Sequence, residues 1–170
     1  LNELMLTISA TMADMSIPID ERILRAIDLY KQCDEIAQTV GYEPLRYERL
    51  LHQYARFLYD YAHYKESIAV FERQIKLLAQ LYGEGDVRIA YSYNTVGLAY
   101  WYIGENMRAI DFLYKSLEMK ENALGSEHPD LIASYVNIGC VYNEYEWGMF
   151  SAAIENLEKA LKLGLKVYGE

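Results

Sequence analysis

The chain predicts an all-α fold, a right-handed α-solenoid of stacked antiparallel helix hairpins, on three observations. Residues 83–97 (GEGDVRIAYSYNTVG) and 125–139 (GSEHPDLIASYVNIG) carry one pattern twice, 42 positions apart. Self-similarity at a period of about 20 to 50 residues marks an array in which each unit buries its apolar side on its neighbour. Gly41, Gly83, Gly125 and Gly169 follow one another at steps of 42, 42 and 44, where a left-handed residue is expected to close a helix. Between these glycines apolar residues fall at helical spacing, and only 3 prolines occur in 170 residues.

Residues 1–41 read as a degenerate N-terminal helix pair. Leu1, Leu4, Met5, Ile8, Met12 and Met15 form one helical stripe; Pro18 interrupts it before a second amphipathic segment through Ala26, Ile27, Tyr30 and Ala37. Three repeats follow, at 45–83, 87–125 and 129–169. In the first, Leu51, Tyr54, Ala55 and Leu58 precede Ser67 and Phe71; in the second, Tyr93, Val96, Gly97 and Tyr100 precede Ala109 and Leu113. The third has Tyr135, Ile138, Gly139 and Tyr142, then Ala153 and Leu157 after a two-residue insertion near Glu146-Trp147. The small residues pair across each hairpin (Ala55 with Ser67, Gly97 with Ala109, Gly139 with Ala153), which lets two helices approach closely. The second helices carry apolar stripes: Ile68, Phe71, Ile75, Leu78 and Tyr82; Ile110, Leu113, Leu117 and Leu124; Ile154, Leu157, Leu161, Leu165 and Tyr168. Pro44 and Pro129 suit the starts of helices.

Composition narrows the function. A net charge of −9 argues against a nucleic-acid binder or a ligand of anionic membranes. No apolar run reaches membrane-spanning length and no secretory signal is visible. Two cysteines, Cys33 and Cys140, are too few for a disulfide framework, so a cytoplasmic location with reduced thiols is expected. The seventeen tyrosines read first as packing residues with a wet hydroxyl. The chain reads as a segment excised from a longer protein.

The order aromatic-x2-L-G-x2-Y…A-x3-F in each copy is the tetratricopeptide signature. With its 42-residue step and the connector Gly125-Ser-Glu-His-Pro-Asp-Leu-Ile-Ala-Ser-Tyr135, the chain resembles the kinesin-light-chain type of tetratricopeptide repeat (TPR). His128, Pro129, Asp130, Ser134, Tyr135, Asn137 and Gly139 match the connector motif of that family in place. In the preceding connector Asp86-Val87 stand where His-Pro would be, while Ser92, Tyr93, Asn94 and Gly97 match. The resemblance covers residues 45–169. It implies a binding module that takes a protein or peptide segment on the concave side formed by the first helices.

That resemblance places Arg49, His52, Gln53, Arg56, Tyr59 and Asp60 on the binding side in the first copy. The second copy gives Tyr91, Asn94, Thr95, Leu98, Trp101 and Tyr102, and the third gives Ala133, Val136, Asn137, Cys140, Asn143 and Glu144. Helical spacing independently sets these positions away from Tyr93, Val96 and Tyr100 and their equivalents. Trp101 and Tyr102 are the residue types that dominate binding hot spots. Arg49 and Arg56, seven apart, suit an acidic group or a carboxylate, or else an ion pair with Glu48, Asp60 or Glu66. The amides of Asn94 and Asn137 carry donor and acceptor and suit an extended peptide, or else hydrogen bonds between repeats. Glu144 and Glu146 read as a solvated charge pair, and Glu121 as exposed.

No catalytic residue, metal ligand or cofactor is expected. His52, His63 and His128 are scattered, and there is neither a metal-binding histidine pair nor a glycine-rich phosphate loop. Two other uses of the array stand beside peptide binding. One is a regulatory or structural segment that packs in cis on a catalytic or DNA-binding domain; the other is self-association through an exposed C-terminal hairpin.

Overall fold

A computed structural model of the chain describes residues 1–144 and 149–169. Its helices are α1 (Asn2–Ala13), α2 (Ile19–Thr39), α3 (Pro44–Asp60), α4 (Tyr64–Tyr82), α5 (Val87–Tyr102), α6 (Asn106–Leu124), α7 (Asp130–Glu144) and α8 (Phe150–Tyr168). They are eight, with no strand among the described residues. The insertion expected near Glu146-Trp147 lies outside those residues. The helices fall into two compact units, Leu1–Leu77 and Leu78–Glu170, divided inside α4.

In the first unit α1 ends earlier than its apolar stripe suggests. Asp14 turns the chain by accepting the Ser16 N–H at 3.0 Å, and Met15 beyond it is 84% exposed, so the stripe stops at Met12. The buried Arg22 of α2 reaches back and donates to the Met12 carbonyl at 2.7 Å, a cation on a helix C-terminus. The α2 stripe packs as expected: Ala26, Ile27, Tyr30, Cys33 and Ala37 are buried. The ring of Tyr30 stacks on Tyr54 of α3 with centroids 5.2 Å apart. Pro44 opens α3 in its first turn, where a missing N–H costs no helical bond. At the α3–α4 crossing the small pair is bonded as well as close, Ser67 Oγ donating to the Ala55 carbonyl at 2.8 Å. The buried carboxylate of Asp34 is held by Arg73 at 2.6 and 2.8 Å and by the Tyr47 hydroxyl at 2.9 Å. Those hydrogen bonds keep its pKa below the usual carboxylate range against the opposing effect of burial.

In the second unit the paired small residues are contact points between helices. A methyl group on Gly97 would lie 2.8 Å from Leu113 Cγ and 3.1 Å from the Ala109 carbonyl. At Gly139 the same atoms of Leu157 and Ala153 would be 2.8 and 3.3 Å away. Both connectors cap the helix that follows. Asp86 accepts the Arg88 N–H at 3.0 Å and grips the Arg88 guanidinium at 2.7 and 2.8 Å; His128 Nδ1 accepts the Asp130 N–H at 3.2 Å. Aspartate and histidine thus do one job at equivalent positions, satisfying a free N–H of the first turn.

The apolar stripe of α8 is also its bare side, as an exposed C-terminal hairpin requires. Leu161, Leu165 and Tyr168 are 64%, 47% and 74% exposed, and Ile154 and Leu157 are exposed with them. The buried residues of α8 are Ala153, Asn156, Ala160 and Leu163. The physical reason lies one repeat earlier. Ile110, Leu113 and Leu117 occupy the matching places on α6 and are buried, because α7 packs on α6. Among the described residues no helix plays that part for α8.

Candidate functional site

The first helices of the second unit, α5 and α7, are joined by three side-chain rungs. The Tyr91 hydroxyl donates to Asp130. Asn137 Nδ2 donates to Asn94 Oδ1 at 3.1 Å. The Trp101 indole N–H donates to Glu144 Oε2 at 2.8 Å. Asn94 to Trp101 and Asn137 to Glu144 are both seven residues, two helical turns, so the rungs recur along one strip of each helix.

The two asparagines are therefore hydrogen-bonded to each other across the repeat junction through one end of each amide. Glu144 is exposed but is an acceptor for tryptophan rather than a free surface charge. Trp101 is half-buried, and its ring stacks on Tyr102 with centroids 5.5 Å apart. Tyr102 is 56% exposed. Leu98, half-buried, lies one turn before Trp101; Cys140, also half-buried, lies one turn after Asn137; Asn143 is exposed at the end of α7.

Beneath the first rung is a buried cation that sequence reasoning missed. Lys120 is 4% exposed, donates to Ser134 Oγ at 3.0 Å, and holds its Nζ 5.0 Å from the centre of the Tyr91 ring. Burial lowers the ammonium pKa, and the nearby Asp130 carboxylate opposes that shift. The hydrogen bond to Asp130, and after it burial, raises the pKa of the Tyr91 hydroxyl. One signal was available. Shifted by one repeat, Lys120 stands where the first copy has the buried Leu78.

In the first unit, Arg49 and Gln53 are exposed on α3 and line a cleft of about 350 Å³ with Tyr42 and Arg46. Arg56 pairs with Asp60 at 3.0 Å on its own helix and lies 5.5 Å from the Tyr59 ring centre. His52 Nδ1 lies 3.2 Å from the Gln74 amide nitrogen. Arg56 is thus partly committed, while Arg49 has no ion-pair partner among the described residues.

Among the described residues no group of three or more histidines, cysteines, aspartates or glutamates is placed to hold a metal ion. No helix there is long and apolar enough to cross a membrane.

Residues 89–166 match the family model of the tetratricopeptide repeat. The second and third repeats are thus of tetratricopeptide type. In fold it is similar to the crystal structure of BtubC (BKLC) from P. vanneervenii, with a TM-score of 0.75 and 22% identity over 88% of this chain and 59% of that one. It is similar also to a Podosopora anserina protein assigned as a kinesin light chain, built of nearly identical TPR-like repeats. That match has a TM-score of 0.71 and 19% identity, over 97% of this chain and 76% of the other. A curated relative, the clustered mitochondria protein homolog of Danio rerio, is 29% identical over 108 residues, 62% of this chain. The chain spans 7% of that relative's length and 59% of BtubC.

Proposed function

We propose that the chain is a protein- or peptide-binding module whose recognition surface is the first-helix side of its repeats, centred in the second unit on Leu98, Trp101 and Tyr102. TPR arrays are in general protein-interaction scaffolds, and the observation that carries the finer reading is the Trp101–Tyr102 pair. The indole N–H is already satisfied by Glu144 and the two rings are stacked, so a large aromatic platform is held in one orientation with Tyr102 facing solvent. A rigid aromatic anchor loses little conformational freedom when a partner settles on it. Asn143 and the edge of the Asn94–Asn137 rung supply polar groups beside it. In the first unit, Arg49, Gln53, Arg56 and Tyr59 give α3 a basic and aromatic surface suited to acidic groups of a partner.

The module is proposed to be non-catalytic. Ser134 and Lys120 have the separation of a nucleophile and its base, but they are 1% and 4% exposed, closed to any substrate. His128 is occupied in capping α7. Cys33 and Cys140 are free thiols, which fits a reducing, cytoplasmic setting. The net charge of −9 supports a protein partner rather than nucleic acid or an anionic membrane.

A peptide-array or pull-down comparison of the parent with Tyr102→Ala and Trp101→Ala, each first shown to melt normally, tests the reading. Loss of a hot-spot aromatic is expected to cost about 2 kcal/mol or more of binding. If every partner binds all three proteins equally, the first-helix side is not the site. Partners that turn out to be a domain of the same polypeptide would favour packing in cis.

A further inference from the structure

The second and third repeats differ at one position between their helices, and in the third a cleft lies there. In the second repeat Phe112 of α6 fills the space between two tyrosines, its ring centre 5.6 Å from Tyr93 and 5.4 Å from Tyr100, stacked on the latter. One repeat on, Tyr135 and Tyr142 replace those tyrosines 42 positions later. The 44-residue step that relates Ala109 to Ala153 brings Asn156 to the place of Phe112.

Asparagine is shorter than phenylalanine, and a cleft of about 390 Å³ lies beside it, lined by Tyr114, Glu118, Glu121, Tyr135, Asn156 and Lys159. Asn156 is 2% exposed. Its Nδ2 donates to the Ala152 carbonyl at 2.8 Å and to the Tyr114 hydroxyl at 3.4 Å, but its Oδ1 is buried without a hydrogen-bond partner. A buried acceptor left unpaired is costly and wants a donor.

The walls state what kind of donor fits. Tyr114, backed edge to face by Tyr142 at 6.5 Å, forms one wall, and on another the Tyr135 hydroxyl donates to Glu121 at 2.7 Å. Glu118 is exposed at the rim. The resident cation, Lys159, lies 6.0 Å from the Tyr135 ring centre and is paired with Glu155 at 2.7 Å, so it is shared among Glu155 and Glu121 and forms no ion pair with Glu118 at the rim.

We propose that this cleft, on the α6–α8 side of the second unit and separate from the α5–α7 surface, binds an arginine side chain presented by a basic segment of a partner protein. A guanidinium is planar like the phenylalanine ring it replaces and stacks on tyrosine. It also offers several N–H donors, enough for Asn156 Oδ1 and a glutamate together. Lysine offers charge without the plane, and citrulline offers the plane without charge.

The test uses the full chain, labelled for side-chain amide and aromatic resonances, titrated with blocked Gly-Arg-Gly, Gly-Lys-Gly and Gly-citrulline-Gly peptides. The arginine peptide is expected to shift Asn156 and Tyr135 at concentrations where the citrulline peptide does nothing, with lysine weaker than arginine. Asn156→Phe, which restores the residue of the second repeat, should erase the response, and Glu118→Gln should raise Kd at least about threefold, under 1 kcal/mol. Should Asn156→Phe not fold, Glu118→Lys replaces it and is expected to abolish the response through like charge. Equal responses to arginine and citrulline, or an unchanged response in whichever of Asn156→Phe and Glu118→Lys is read, would overturn the proposal. So would an Asn156 that cross-relaxes with an ordered water and answers to none of the peptides.

Discussion

Lys120 Nζ donates to Ser134 Oγ at 3.0 Å, a cation from α6 on a hydroxyl from α7, with both side chains removed from water. Burial disfavours the protonated form, and the nearby Asp130 carboxylate offsets this only in part, so the pKa of this lysine is lowered. The folded state therefore binds the proton less well than the unfolded chain. Stability should rise with pH between the lowered folded pKa and the ordinary lysine value near 10.5.

Lys120→Leu, which restores the first repeat's residue, is expected to raise stability at neutral pH by on the order of 1 kcal/mol. The gap over the parent should shrink as pH approaches 10. Melting temperatures measured from pH 7 to 10 check both statements. A variant that melts lower at pH 7 would mean that the Ser134 bond and the Tyr91 ring outweigh desolvation.

Alkaline unfolding should be governed by tyrosine. The hydroxyls of Tyr54, Tyr135 and Tyr142 are pushed up to about 12, in each case first by burial. Their unfolded-state pKa is lower, near 10.0. Their contribution is therefore complete below pH 10 and is lost as pH rises towards 12. Denaturant midpoints should be flat below pH 10 from this cause and fall above it, less steeply in Tyr54→Phe.

The close crossings at Gly97 and Gly139 should not tolerate even one methyl group. With Leu113 or Leu157 only 2.8 Å from the added carbon, Gly97→Ala and Gly139→Ala are each expected to cost about 1–3 kcal/mol by thermal or urea unfolding. Glu158→Gln on the exposed side of α8 is the control. Glu121 is not suitable for that role: it is half-buried and accepts the Tyr135 hydroxyl, contrary to its reading as a solvated residue. Parent-like melting of both alanine variants would contradict the packing described.

The bare side of α8 should drive self-association. Leu161, Leu165 and Tyr168 together expose an apolar strip of the kind that seeks a partner in solution. Sedimentation velocity is expected to show concentration-dependent dimerisation that Leu161→Lys with Leu165→Lys removes. A parent that stays monomeric at every concentration would count against it.

The repeat, the helix ends and the small-residue crossings were legible because each rests on a local rule. Gly97 and Gly139 could be placed from sequence since only a small residue serves where two helices touch, and Gly125 because its φ of 90° suits a residue without a side chain. The side chains that tie the first-helix side together were less legible. Spacing put Asn94, Asn137, Trp101 and Glu144 on one strip, but whether they face a ligand or one another depends on how far apart two helices stand. Lys120 and Asn156 escaped for another reason. Both are polar residues at core positions, and periodicity registers them as gaps in a stripe. Only comparison with Leu78 and Phe112 in the neighbouring copies gives them meaning.

The Asn94–Asn137 rung has a consequence for how a partner would be chosen. The bond from Asn137 Nδ2 to Asn94 Oδ1 leaves only the other end of each amide for a ligand's main chain, which is common to all peptides, so discrimination passes largely to what hangs from it. A surface of that kind distinguishes one sequence from its anagram: a scrambled peptide of identical composition should lose its grip, whereas lengthening the ends of a matched one should add little. The order of letters in the ligand, more than its length or bulk charge, would then carry the message this module reads.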